Sequence, residues 1–114
     1  MRYALLIYPG ESAALAERLP EAEQRAIVGE YLALRDLPGV FGGARLQPPE
    51  SATTVRDEDG RTLTTDGPFA DTKEILGGLY LLEADDLDAA LEVAARIPAV
   101  RMGGAVEVRP IWEM

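Results

Sequence analysis

The sequence contains no cysteine and no histidine. Without cysteine there are no disulfides, thiolate nucleophiles or thiolate metal sites, a composition that fits a reducing cytoplasm. Without histidine the usual general base near neutral pH and the commonest metal ligand are missing, so Ser-His-Asp chemistry is excluded. Any acid–base work falls to Asp, Glu, Lys, Tyr or Arg. Aromatics are sparse, at 6% with a single tryptophan. No apolar run approaches the ~20 residues of a membrane span. Positive charge is also scarce: 11 basic against 20 acidic residues leave a net charge of -9. That argues against nucleic acid and anionic membranes as partners, since both require a basic face. Nothing in the pattern implies a metal or another cofactor, and no loop has calcium-loop spacing.

What remains is 114 residues with 47% hydrophobic content, read as one domain over 1–114 with a modest core. The opening MRYALLIYPG has one basic residue and no cleavage site, and reads as a strand over Arg2–Tyr8 ended by Pro9-Gly10. Residues 11–19 suit a short helical turn or a loop. Pro20 opens a helix that runs to about Asp36, with Glu21 and Glu23 in its first turn. Ala22, Ala26, Ile27, Tyr31 and Leu34 form its apolar stripe. Val40–Leu46 reads as a second strand, in which Gly42-Gly43 marks a bulge or a close approach. Polar runs flanking Asp59-Gly60 give a hairpin, expected on the edge of the main sheet. Gly78–Glu83 is a strand with Leu79, Leu81 and Leu82 as core candidates. Asp85-Asp86-Leu87-Asp88 starts a helix whose stripe is Leu87, Ala90, Leu91, Ala94 and Ile97, ended by Pro98. Ala105–Ile111 closes with strict alternation, Glu107 and Arg109 on one face.

Two strand–helix–strand units in tandem, with a hairpin inserted, specify an α+β ferredoxin-like fold (βαββαβ) with both helices on one sheet face. The other face stays open. A second copy would cover it most simply, so a homodimer is expected.

The candidate site centres on Asp66–Gly78, where Asp66-Gly67-Pro68 forces a shaped loop between strands. Asp66 has two readings, a cap for the following turn or an acid/base group in a cleft. Phe69 is a core plug beneath the loop or a stacking platform. Lys73 and Glu74 are a solvated pair or part of a ligand site beside Gly77-Gly78, a pair that admits a close approach. Arg45 and Arg109 form an anion clamp for a carboxylate-bearing ligand, or Arg109 pairs with Glu107. Tyr8 packs, or donates a hydrogen bond into a cleft, and Trp112 is an interface or core anchor.

Across nearly the whole chain, ALLIY at 4–8, GGARLQP at 42–48, ATTVR at 52–56, DGPFADTKE at 66–74, GG at 77–78, ARIP at 95–98 and VEVRP at 106–110 resemble the YCII-related family, in its DGPF-domain branch. The resemblance implies a dimeric α+β barrel with a cleft beside the sheet. It also implies relatives that act on small organic molecules, and an association of DGPF members with sigma factors of the extracytoplasmic-function type. The wider family's His-Asp pair cannot be carried over to a chain without histidine. Two functions follow. One is a dimeric module that binds a small ligand or serves regulation. The other is a lyase- or isomerase-type enzyme using Asp66, with Arg45, Lys73 or Arg109 stabilising an anion.

Overall fold

In a computed structural model, which describes residues 1–69 and 74–113, the main sheet has four antiparallel strands. These are β1 (Arg2–Tyr8), β2 (Val40–Arg45), β5 (Gly78–Glu83) and β6 (Ala105–Pro110), in the order β2-β5-β1-β6. Between β1 and β2 run α1 (Ser12–Glu17) and α2 (Glu21–Arg35); between β5 and β6 run α3 (Leu87–Ala94) and α4 (Pro98–Arg101). The expected order of elements is present, and the architecture is α+β and compatible with a ferredoxin-like fold. The ambiguous stretch after β1 is helical, its first turn closed by Ser12 N–H donating to the Pro9 carbonyl at 2.8 Å.

The core lies between one sheet face and the helices. Tyr3, Leu5 and Ile7 alternate along β1 and meet Tyr80 and Leu82 of β5, Leu34 of α2, Ala90 and Ala94 of α3, then Ile97 and Ala99. The β5 run is apolar at every position, and its register puts Gly78, Tyr80 and Leu82 under the helices. Leu79 and Leu81, expected in the core, are half-buried on the opposite face, and Tyr80 takes their place. On α3 the sheet side is lined by alanines, which let the helix approach closely, while Leu87 and Leu91 remain 48% and 46% exposed. The α2 stripe narrows in the same way to Ile27, Tyr31 and Leu34, with Ala22 and Ala26 exposed. Pro98 does not end α3 but opens α4 at a position where its missing N–H costs nothing. At the other end of α3, the Asp86 carboxylate accepts from Ala89 N–H at 2.9 Å, as the run of aspartates predicts.

The hairpin of β3 (Thr53–Glu58) and β4 (Arg61–Asp66) turns at Asp59-Gly60, whose φ angles of 52° and 79° are those of a type I′ turn. It does not extend the main sheet. The two strands form a separate sheet of their own, and all their residues except Thr54 are exposed.

Two tyrosines tie α2 down. The Tyr80 hydroxyl donates to the Tyr31 carbonyl at 2.8 Å. Arg101 of α4 bonds Glu30 on the same helix. Burial pushes both phenols above their ordinary value of 10.0; the Ala99 backbone and Arg45 pull Tyr31 partly back, and Tyr31 adds to the rise at Tyr80. Because the folded values lie above the unfolded one, the stability these groups contribute is complete below the ordinary phenol value. It is lost as pH rises through the folded values. The melting temperature is therefore expected to decline in alkali once tyrosines of the unfolded chain ionise. Tyr80→Phe should start about 1 kcal/mol less stable and decline less steeply. Parallel alkaline declines for wild type and variant would contradict this.

Candidate functional site

The cleft sits where the C-terminal end of β1 meets the chain leaving β2 and the chain entering β5. Its volume is about 500 Å³, lined by Tyr8, Leu46, Pro48, Pro49, Ser51, Pro68, Glu74, Ile75 and Leu76 among others. That is within the range of small-molecule sites, roughly 300–1,000 Å³. Tyr8 and Glu74 also border a neighbouring, more open hollow with Ala105, Val106 and Glu107.

The walls have local causes. Pro48 cannot continue β2, and Pro49–Ser51 forms a single 3₁₀ turn fastened by the Ser51 hydroxyl donating to the Pro48 carbonyl at 2.7 Å. On the other side, Gly77 donates to the Ile7 carbonyl at 2.8 Å, and Leu46 donates to the Gly77 carbonyl at 2.9 Å. The glycine pair is needed for backbone and proline rather than for a ligand. A Cβ on Gly77 would lie 2.8 Å from the Pro9 ring, and one on Gly78 would lie 2.8 Å from the Ala44 carbonyl oxygen.

Of the described residues singled out from sequence, Tyr8 and Glu74 line the cleft, and Arg45, Asp66, Phe69 and Arg109 are not among its lining. Arg45 and Arg109 lie on opposite edge strands, on opposite sheet faces. Arg45 registers with buried Gly78 on the helix side, where its charge reaches Tyr31. Arg109 registers with Ala4 on the open side and pairs with Glu107 at 3.6 Å. With the strands of each pair about 4.8 Å apart, the two arginines cannot clamp one anion within a single chain. The pairing of Arg109 with Glu107 is the arrangement their same-face spacing predicts.

Asp66 ends β4 in an exposed position and lines neither cleft. Among the described residues its carboxylate accepts no hydrogen bond, so the capping role expected of it is absent. The loop is held instead by the Thr54 hydroxyl donating to the Gly67 carbonyl, and by Gly67 N–H donating to the Ala52 carbonyl, each at 2.7 Å. Gly67, at φ 105°, occupies a conformation that L side chains rarely adopt. Phe69 is not a core plug. It is 74% exposed, with the Arg56 guanidinium 5.4 Å above its ring. Trp112, at 86% exposure, is not a core anchor either. Lys73 lies outside the described residues.

Sequence reasoning missed the apolar walls, Leu46, Pro48, Ile75 and Leu76. They carry no periodic signal, and only the Pro48-Pro49 break marked the place. Among the described residues no group of three or more acidic side chains is placed to hold a metal ion. No described helix is long and apolar enough to cross a membrane.

These contacts rank the loop residues by stability. Asp66→Asn should leave urea unfolding unchanged within about 0.5 kcal/mol. Thr54→Ala should cost about 1 kcal/mol, because it leaves the Gly67 carbonyl without its donor. A larger loss at Asp66 than at Thr54 would overturn that ranking.

The model of the YCII-related domain matches residues 1–114. An uncharacterized protein of Rhizobium meliloti (strain 1021) is 38% identical over 117 residues, covering 97% of this chain and 92% of that protein. The full-length match, together with the shaped Asp66-Gly67-Pro68 turn and the sheet order, leads to one assignment: the chain belongs to the YCII-related family.

Proposed function

We propose that the protein is a homodimeric module that binds a small molecule in the Tyr8 cleft, serving regulation or the handling of that molecule rather than catalysis through Asp66. The observation that carries this reading is the cleft itself. It joins one hydrogen-bonding phenol to the largely apolar walls of Leu46, Pro48, Pro49, Ile75 and Leu76. Such a lining suits a ligand with an apolar body and one polar end that accepts from the Tyr8 hydroxyl. A small carboxylic acid or its lactone meets that description. Within one chain the polar end would meet the Tyr8 phenol and the Gln47 amide, with no arginine beside it, since Arg45 and Arg109 stand away from the cleft; the Glu74 carboxylate in the lining favours the neutral lactone over the ionised acid. The same dispersal counts against the enzymatic reading: Asp66, Arg45 and Arg109 are not gathered around one reacting centre.

The dimer reading rests on the open sheet face. Ala4, Leu6 and Tyr8 of β1 and Leu79 and Leu81 of β5 share it, with no helix above them. Its rim carries the Arg2–Glu83 and Arg109–Glu107 pairs, and Arg2 also stacks 5.1 Å above exposed Phe41. An apolar centre with a charged rim is the usual anatomy of an interface.

The test is a thermal-shift screen with small carboxylic acids, lactones and their neutral analogues. A binder should raise the melting temperature. Tyr8→Phe should abolish most of the shift, and Arg45→Ala, on the far side of the sheet, should leave it unchanged. A shift that survives Tyr8→Phe but vanishes with Arg45→Ala would overturn the assignment of the cleft.

A further inference from the structure

Beyond the Thr54 hydroxyl that holds Gly67, the β3–β4 hairpin packs little against its own chain. It makes no ladder with the main sheet, and both of its faces meet solvent. Two-stranded ribbons in that situation are marginal in water. The hairpin also stretches the molecule. The radius of gyration is 16.0 Å, against roughly 13 Å for a compact chain of this length. Yet the ribbon and the loop behind it carry Val55, Leu63 and Phe69 at 63%, 42% and 74% exposure.

The charges on the ribbon are sorted by face. The register places Thr54, Arg56, Glu58, Arg61, Leu63 and Thr65 on one side, and Phe69 lies under Arg56 on that side. This face carries two arginines against one carboxylate, in a chain whose net charge is -9. Its complement in sign is the body of the same protein. Arginine and large aromatics are also the residues that anchor interfaces.

The open sheet face needs help of this kind. Four strands about 4.8 Å apart, with about six residues each at about 3.3 Å, outline roughly 400 Å². A stable interface buries about 800 Å² per partner. The central side chains, Ala4, Leu6, Tyr8, Leu79 and Leu81, are already half-buried and offer only part of their area.

We infer that the β3–β4 hairpin is an exchanged arm: in the dimer proposed above, on which this inference rests, the Arg56–Leu63–Phe69 face of each copy lies against the body of the other. Two-fold symmetry repeats the contact, so one arm surface contributes twice.

Photo-crosslinking from Leu63, combined with sedimentation equilibrium, tests this. A photoreactive residue at Leu63 should give covalent species of twice the 12.3 kDa chain mass, and the same residue at Leu87 on α3 should give none. Leu63→Ser with Phe69→Ser should leave the melting temperature of the monomer fraction unchanged and weaken dimerisation by roughly tenfold or more. A wild-type chain that sediments as a monomer would overturn the dimer and the arm together. A wild-type dimer whose Leu63 cross-links stay within one chain, and whose dissociation constant ignores the double substitution, would overturn the arm alone.

Discussion

The two central strands are apolar on both faces, while the helices cover only one. Along β1, Tyr3, Leu5 and Ile7 face the helices and Ala4, Leu6 and Tyr8 face away; along β5, Tyr80 and Leu82 answer Leu79 and Leu81. A strand in an antiparallel sheet with one solvated side alternates apolar with polar residues. Here that alternation is confined to the edge strand β6, where Glu107 and Arg109 share the open side with Ala4 and Leu6 of β1. The fold therefore buries half of this apolar pattern under its helices and leaves the other half on the open side of the sheet. Closing the open side turns a two-layer domain into a three-layer one, and it places whatever closes it beside Tyr8.

The cleft inherits its position from the same strands. Tyr8 is the last residue of β1 on the open side, and Gly77 hydrogen-bonds to its neighbour Ile7 as the loop returns to β5. The DGPF loop is thus tied to the sheet at one end and to the hairpin at the other, through Thr54, Ala52 and Gly67. A change at either attachment alters the cleft wall. This accounts for a shaped loop with few catalytic credentials of its own: its glycines and prolines set where Pro68, Glu74 and Ile75 stand.

Much of the fold was legible in the sequence, because its boundaries are chemical. Pro9-Gly10, Pro20, Asp59-Gly60 and the aspartates before Leu87 each force or favour a local geometry that no tertiary contact reverses. Facing was harder. A run such as GLYLLE is apolar at every position, so a period of two cannot say which residues go under the helices. Arg45 shows a second cause. The register shift between Val40 and Gly42 inverts the parity of the rest of β2 and moves Arg45 to the helix side. The glycines suggested the bulge, but not its consequence for a residue three positions later. Phe69 was misread because loops have no period, and its partner Arg56 lies thirteen residues away on strand β3. The cleft was half legible: its phenol and carboxylate stood out as functional groups, whereas its leucines and prolines looked like ordinary chain.

The central claim is that the open sheet face is covered in solution. Solvent paramagnetic relaxation on methyl-labelled protein measures this directly, residue by residue. The account predicts that the methyls of Leu6, Leu79 and Leu81 are protected from a soluble relaxation agent, as well as those of buried Leu5 and Leu82, while Leu32, Leu87 and Leu91 on the outer helix surfaces are strongly broadened. Equal broadening of Leu79, Leu81 and Leu87 would contradict it, and would mean that the chain presents a bare apolar sheet to water.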